Sequence, residues 1–179
     1  MASAVTYIPH YTRADYLNWE GDWELWDGIP VSMSPSPNFF HQSIGANLLV
    51  QFSNQLNLAP CDKRCQAVYE LDWQVADSTI VRPDLMVVCE RPENQWIEEP
   101  PAMIVEILSP STREKDLVSK RELYAANGVT FYLIVDPENK SVVLLQLDEE
   151  GTYREVSPDQ PFTIHSNCSL QISQEELFG

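Results

Sequence analysis

Basic residues are scarce in this chain. Eleven lysines and arginines stand against 27 aspartates and glutamates, a formal net charge of −16 over 179 residues. A protein that coats nucleic acid without regard to sequence needs a basic face to meet the phosphates, and this balance excludes one. A locally basic cleft remains open. Histidine occurs only at positions 10, 41 and 165, and cysteine only at 61, 65, 89 and 168. Four cysteines are too few for the disulfide scaffold of a small secreted domain. The pair in "CDKRC" (61–65) has neither a second pair nor clustered histidines to complete a zinc site, so ordinary free thiols are expected. No apolar run approaches the length of a membrane span. The opening "MASAVTYIPH" lacks the basic start and long apolar stretch of a signal peptide, so a cytoplasmic protein without membrane association is expected. Low-complexity tracts and internal repeats are missing as well, and no linker divides the chain, which is read as one domain over 1–179.

What the chain does have is a succession of well-marked elements. Thr12 is placed to cap a short helix in "RADYLNW". "WELW" and "IPVSM" flank Asp27-Gly28, a turn pair that tolerates positive φ, and predict a hairpin. After the break "SPSPN", Phe40, Ile44, Leu48, Phe52 and Leu56 recur every fourth residue and predict an amphipathic helix over 39–56. Strands are expected over 66–75, 79–89 and 102–108. Ser111 and Glu114 form a capping box for a helix that runs to about Asn127, where Gly128 stops it. A hairpin follows, 130–136 and 141–147 joined by "PENK", then weaker strands near 152–156 and 162–172 and a last turn of helix in "QEEL". This order predicts an α/β fold, a mixed sheet with helices against it.

Two of the apolar strands carry an acid. In "AMIVEIL" (102–108), Glu106 shares a face with Ile104 and Leu108 while Met103, Val105 and Ile107 point the other way. Both faces are apolar, which predicts a central strand covered on each side. In "IVRPDLMVVC", Pro83 lacks an N–H, so pairing is interrupted beside Asp84. Buried ionised carboxylates pair, neutralise or bind metal. The following helix offers a partner, because Leu117, Lys120, Arg121 and Tyr124 are spaced three and four apart and place Lys120 on or beside the apolar stripe. Arg113, Lys115, Lys120 and Arg121 form the one segment of net positive charge, either a solvated helix face or a surface for phosphates. Asp84, Glu106 and Lys120 satisfy one another if the helix packs back on its strand. Such a trio is either a structural ion-pair network or a catalytic site. Two convergent carboxylates suit Mg²⁺, with Mn²⁺ as a substitute, and a lysine beside them suits the charge that develops on a phosphate. The chemistry implied is metal-dependent phosphodiester hydrolysis.

"RPDLMVV" followed by "AMIVEILSPSTREKDLVSKRELYAANGVTFYLIVDP" resembles the Uma-type restriction endonuclease family of the PD-(D/E)XK nuclease superfamily, and the resemblance extends from "WELWDG" through "HQSI" to "SQEELF". It implies a restriction-endonuclease-like core with a central mixed sheet flanked by helices. It also implies a metal site of Asp84, Glu106 and the Ile107 carbonyl. The superfamily's lysine two residues after the glutamate is replaced here by Leu108, which makes Lys120 the substitute. By the same resemblance Glu24 either reaches the metal or pairs with a base, and His41 either approaches the site or is structural. Ser109, Ser111 and Thr112 either meet a phosphate or cap the helix. Nucleic acid, DNA rather than RNA, is the implied substrate, with Arg113, Lys115 and Arg121 as its contacts. A homodimer, built on aromatic residues such as Trp19, Trp23, Trp26 and Trp96, is suggested by analogy with enzymes that cut both strands. The rival expectation is a catalytically silent nuclease fold that serves as an interaction or dimerisation module.

Overall fold

The structure, a computed structural model, describes residues 8–33, 38–58, 65–92, 95–110 and 113–179. It opens with a single helical turn, α1 (Arg13–Tyr16), where the Asp15 carboxylate reaches back to the Thr12 N–H at 2.9 Å. The expected hairpin follows. Strands β1 (Trp23–Trp26) and β2 (Ile29–Ser32) pair antiparallel around Asp27 and Gly28, whose φ of 45° and 77° lie in the left-handed region that the turn requires. Helix α2 (Phe39–Leu58) turns Ile44, Leu48, Phe52 and Leu56 inward, as their spacing predicts. Phe40, counted in that stripe, is 70% exposed, and the inward place at that end of the helix belongs to His41.

Two stretches that read as single strands are each two. Residues 66–75 break at Glu70 (φ 46°) into β3 (Gln66–Tyr69) and β4 (Trp73–Ala76). Residues 79–89 break at Arg82-Pro83-Asp84 into β5 (Thr79–Val81) and β6 (Leu85–Val88). Proline has no N–H for a ladder, and a left-handed residue takes the chain out of the extended direction. At both breaks the chain leaves one sheet for another.

Beyond them, β7 (Met103–Ile107) leads into the expected helix, which is not uniform. Its segment Lys115–Lys120 is π-helical and continues as α3 (Arg121–Ala126), with Asn127 as C-cap and Gly128 at φ 78°. The predicted cap Ser111, like Thr112, lies outside the described residues. The inward positions are Asp116, Lys120 and Tyr124, whereas Leu117 and Arg121 face outward, contrary to the predicted stripe. A π turn adds a residue to the turn and re-phases the faces after it. The chain then runs through β8 (Phe131–Asp136), β9 (Ser141–Leu147), β10 (Tyr153–Val156), β11 (Phe162–His165), β12 (Cys168–Leu170) and α4 (Gln174–Phe178).

The larger sheet has the order β10-β9-β8-β7-β6-β3, and only the β7–β8 pair in it is parallel. A smaller sheet has the order β2-β1-β5-β4, and β11 pairs with β12. One face of the larger sheet packs Leu85, Val87, Met103, Val105 and Ile107 against Ile44, Leu48 and Phe52 of α2. The other packs Met86, Val88, Ile104 and Leu108 against Trp73, Val81 and Tyr124. Every residue of β7 is buried, the central two-faced strand that its sequence predicts.

The thiols correct an expectation. Cys65 and Cys89 form a disulfide, and Cys168 is also disulfide-bonded. The β3–β6 register, Gln66 opposite Val88, brings Cys65 and Cys89 to the same rung although 24 residues separate them. Chain spacing alone does not reveal a cross-strand pair, and Cys61 lies outside the described residues. Among the described residues, no helix is long and apolar enough to cross a membrane.

Candidate active site

The site forms where β6 begins, β7 ends and the crossover helix returns over the sheet. Leu85 pairs with Val105, so the same register carried back one residue sets Asp84 across from Glu106. The ladder does not continue there in the ordinary way. The Asp84 carboxylate accepts the Ile107 N–H at 2.7 Å in place of a main-chain partner. Its side chain keeps 17% of its exposure, and His41 Nε2 approaches the same oxygen at 3.2 Å. Burial would lower the His41 pKa, but hydrogen bonding and charge from Asp84 outweigh it and the pKa is raised. The other ring nitrogen, Nδ1, is buried without a hydrogen-bond partner among the described residues.

Glu106 is 2% exposed and lies on the face of Ile104 and Leu108. Its Oε1 accepts from Lys120 Nζ at 2.7 Å and from the Tyr124 hydroxyl at 2.5 Å. Burial raises the carboxyl well above its usual range, although Lys120 pulls the other way. For Lys120 burial acts to lower the pKa, but the surrounding carboxylates, Glu106 first, more than reverse it. The ammonium therefore stays charged. The Tyr124 phenol is held protonated by burial and by the adjacent Glu106, and so remains a donor. Tyr132 supports this layer, packing edge-on against Tyr124 and donating to the Asp116 carbonyl at 2.8 Å.

Lys120 also faces Asp116 Oδ1 at 3.4 Å and Glu24 Oε1 at 3.7 Å. Glu24, on β1, is fully buried. Burial alone would raise its pKa, but Lys120 and Lys115 outweigh that and bring it down to about 2. The sequence thus anticipates the Glu106–Lys120 contact. Asp84 belongs to the same field but has its own contacts, Ile107 and His41. Of the predicted phosphate contacts, Lys115 pairs with Glu24 at 2.5 Å, Arg113 with Asp136 at 2.9 Å, and Arg121 is exposed. Asp116 and Tyr124 received no role from the sequence. The signal for both was their four-residue spacing from Lys120.

Around this centre four carboxyl groups (Glu24, Asp84, Glu106, Asp116) meet two ammoniums (Lys115, Lys120), and the carboxyl groups are the candidate ligands for a divalent cation. The donors are of the right kind, since Mg²⁺ takes one or two carboxylates and completes its shell with water and phosphate oxygens. Among the described residues, no group of three or more His, Cys, Asp or Glu side chains is placed to hold one ion. The residues present therefore suit a cation shared with solvent and substrate rather than an all-protein cage.

A mixed central sheet with helices packed against it, its one parallel pair β7–β8 joined by a crossover helix, is the restriction-endonuclease-like class of α/β fold. The family follows from the sequence itself: residues 10–173 match the model of the Uma2 family, described as "putative restriction endonuclease", and the chain belongs to that family. The chain is 29% identical over 155 residues to the "uncharacterized protein slr1290" of Synechocystis sp., covering 82% of this chain and 79% of that protein. In fold it is similar to the crystal structure of a "putative nuclease belonging to DUF820" from Anabaena variabilis, with a TM-score of 0.72 and 21% identity over 94% of this chain and 97% of the other.

Proposed function

We propose that this protein is an endonuclease that hydrolyses phosphodiester bonds in DNA and depends on Mg²⁺. The observation that carries the reading is the cross-strand placement of Asp84 and Glu106, with the buried Lys120 ammonium 2.7 Å from the second acid. Membership of a family described as "putative restriction endonuclease" supports the reaction class. Asp84, Glu106 and the Ile107 carbonyl would hold the cation, which supplies an activated water and neutralises charge on the phosphate.

The chain's own groups do the rest. The Ile107 N–H and His41 Nε2 both hold Oδ2 of Asp84, which fixes the direction of that carboxylate. Tyr124 and Lys120 hold Oε1 of Glu106, which fixes the direction of the second carboxylate. Lys120 is a buried ammonium donor beside the second acid, suited to charge developing on a phosphoryl oxygen. Action in the cytoplasm, and as a homodimer for cleavage of both strands, belongs to the same proposal. Within the chain, Trp26 already donates to Glu24 at 2.9 Å and Trp96 lies 4.5 Å from the Arg13 guanidinium, so neither is simply a bare surface ring.

One observation favours a silent interaction module instead: Lys115 and Arg113, two cations expected to meet phosphate, are committed to carboxylates. Incubation of plasmid DNA with Mg²⁺ or Mn²⁺ separates the two. Nicking that requires the cation and falls at least a hundredfold in a folded Asp84→Ala variant is expected. A folded wild-type protein that neither nicks DNA nor binds Mn²⁺ in titration would overturn the nuclease reading.

A further inference from the structure

Glu24 is part of the smaller sheet, yet its carboxylate is enclosed beneath the helix that carries Lys120. Both of its oxygens are engaged. Oε1 accepts the Arg82 N–H at 3.0 Å and faces Lys120, while Oε2 accepts the Trp26 indole N–H at 2.9 Å and Lys115 Nζ at 2.5 Å. Every neighbour is a donor or a cation, which favours pairing over metal ligation for this acid.

The two lysines that meet Glu24 are five residues apart. In a regular α-helix that spacing separates side chains by about 140° around the axis, too far for one carboxylate to face both. A π turn closes its hydrogen bonds over five residues and brings positions i and i+5 to one side. The π segment spans Lys115–Lys120 and no more. The contacts of Lys120 along its own helix do not need this geometry: its pair with Asp116 has the four-residue spacing of an α-helix, and Tyr124 follows at another four. The shared grip on Glu24 does need it, and so does the direction in which the residues from Lys120 onward face relative to those before the turn.

We propose that Glu24 is a positioning residue: by holding Lys115 it locks the 115–120 turn in its π register, and that register delivers Lys120 to Glu106. Relaxation to an α turn would rotate the residues after it by about 100° relative to those before and carry the Lys120 ammonium off the acid. The catalytic consequence rests on the nuclease reading. The geometric one does not.

The test uses the full chain with Lys115→Met, which keeps the stem of a side chain that is 26% exposed, beside Lys115→Arg and Glu24→Gln. In protein labelled with ¹⁵N-lysine, the buried Lys120 ammonium should give a slowly exchanging signal, identified by its loss in Lys120→Met. Lys115→Met should move that signal to the position of exposed lysines. Its crystal structure should show an α turn at 115–120 with the 2.7 Å contact to Glu106 broken. Plasmid nicking should show kcat reduced at least tenfold and KM within twofold of wild type, largely restored in Lys115→Arg. Glu24→Gln should behave as Lys115→Met, and Lys115→Met decides alone if Glu24→Gln does not fold. A Lys115→Met protein that keeps the π turn and the Lys120 signal overturns the proposal, whatever its activity. If the wild type does not cut DNA the nuclease reading fails, while the spectroscopic and crystallographic results still decide the role of Glu24.

Discussion

Lys120 Nζ stands 2.7 Å from Glu106 Oε1, with both side chains at most 5% exposed. At a surface such a pair would contribute little. Here neither member has water to return to, and Lys120 is the cation that Glu106, Glu24 and Asp116 share, so its loss leaves three buried acids without it. Lys120→Met should therefore lower stability by about 3–5 kcal/mol, read as a fall in the urea midpoint with unchanged slope. A loss under about 1 kcal/mol would show that water reaches the pair.

Glu106→Gln should behave in the opposite way. The amide still accepts from Lys120 and Tyr124 but removes the acid that burial disfavours in its charged form. Without added metal the urea midpoint at neutral pH should match or exceed that of wild type, while DNA cleavage disappears. If the proposed site binds Mn²⁺, the cation should raise the wild-type midpoint, as a ligand of the native state does, and that rise should be absent in Glu106→Gln. A marked fall in the metal-free midpoint would show that the charge itself is needed to hold Lys120.

The Glu24 carboxyl predicts a pH dependence of stability. Its folded pKa is depressed, to about 2 from an ordinary 4.5. A depressed acid contributes stability that is complete above the unfolded value and is lost as pH falls through the folded one. The window is thus from about 4.5 down to about 2. The contribution is about 3 kcal/mol. Urea unfolding should find Glu24→Gln less stable than wild type at neutral pH by roughly that amount, with the gap closing across the window. A gap that persists unchanged at the acid end would refute the charge-based origin.

The Cys65–Cys89 bond closes a loop of 24 residues. Constraint of the unfolded chain by a loop of that size is worth about 3 kcal/mol. Cys65→Ala with Cys89→Ala, which leaves the bond at Cys168 in place, should lower the urea midpoint accordingly. Cleavage should persist below the new midpoint, because β3 and β6 stay paired by their ladder.

Much of the fold is legible in the residues, for physical reasons that differ by element. The Asp27-Gly28 hairpin, the α2 stripe from Ile44 to Leu56 and the two-faced β7 are all local patterns, and local patterns survive into the structure. Sheet membership is not local. Nothing in "TIVRPDLMVV" distinguishes a strand with a kink from two strands in different sheets, and only the position of β1 beside β5 decides it. The disulfide is hidden for the same reason. At the site, the contact of Lys120 with Glu106 could be inferred because a helix that returns over its own strand has few places to put a buried cation. The hold on Lys115 could not. It depends on one π turn, which composition does not mark, and on a glutamate 91 residues upstream.

The parallel pairing of β7 with β8 has a consequence for how the protein comes into being. Glu106, Lys120 and Tyr124 all sit within the single excursion from β7 to β8, whereas Glu24, His41 and Asp84 are synthesised earlier. The surroundings of the later groups are complete only with β8, whose Tyr132 packs on Tyr124 and donates to the Asp116 carbonyl. A nascent or truncated chain ending before Asp136 thus has no pocket in which to assemble its charges, and any cutting power arrives late, with the finished core.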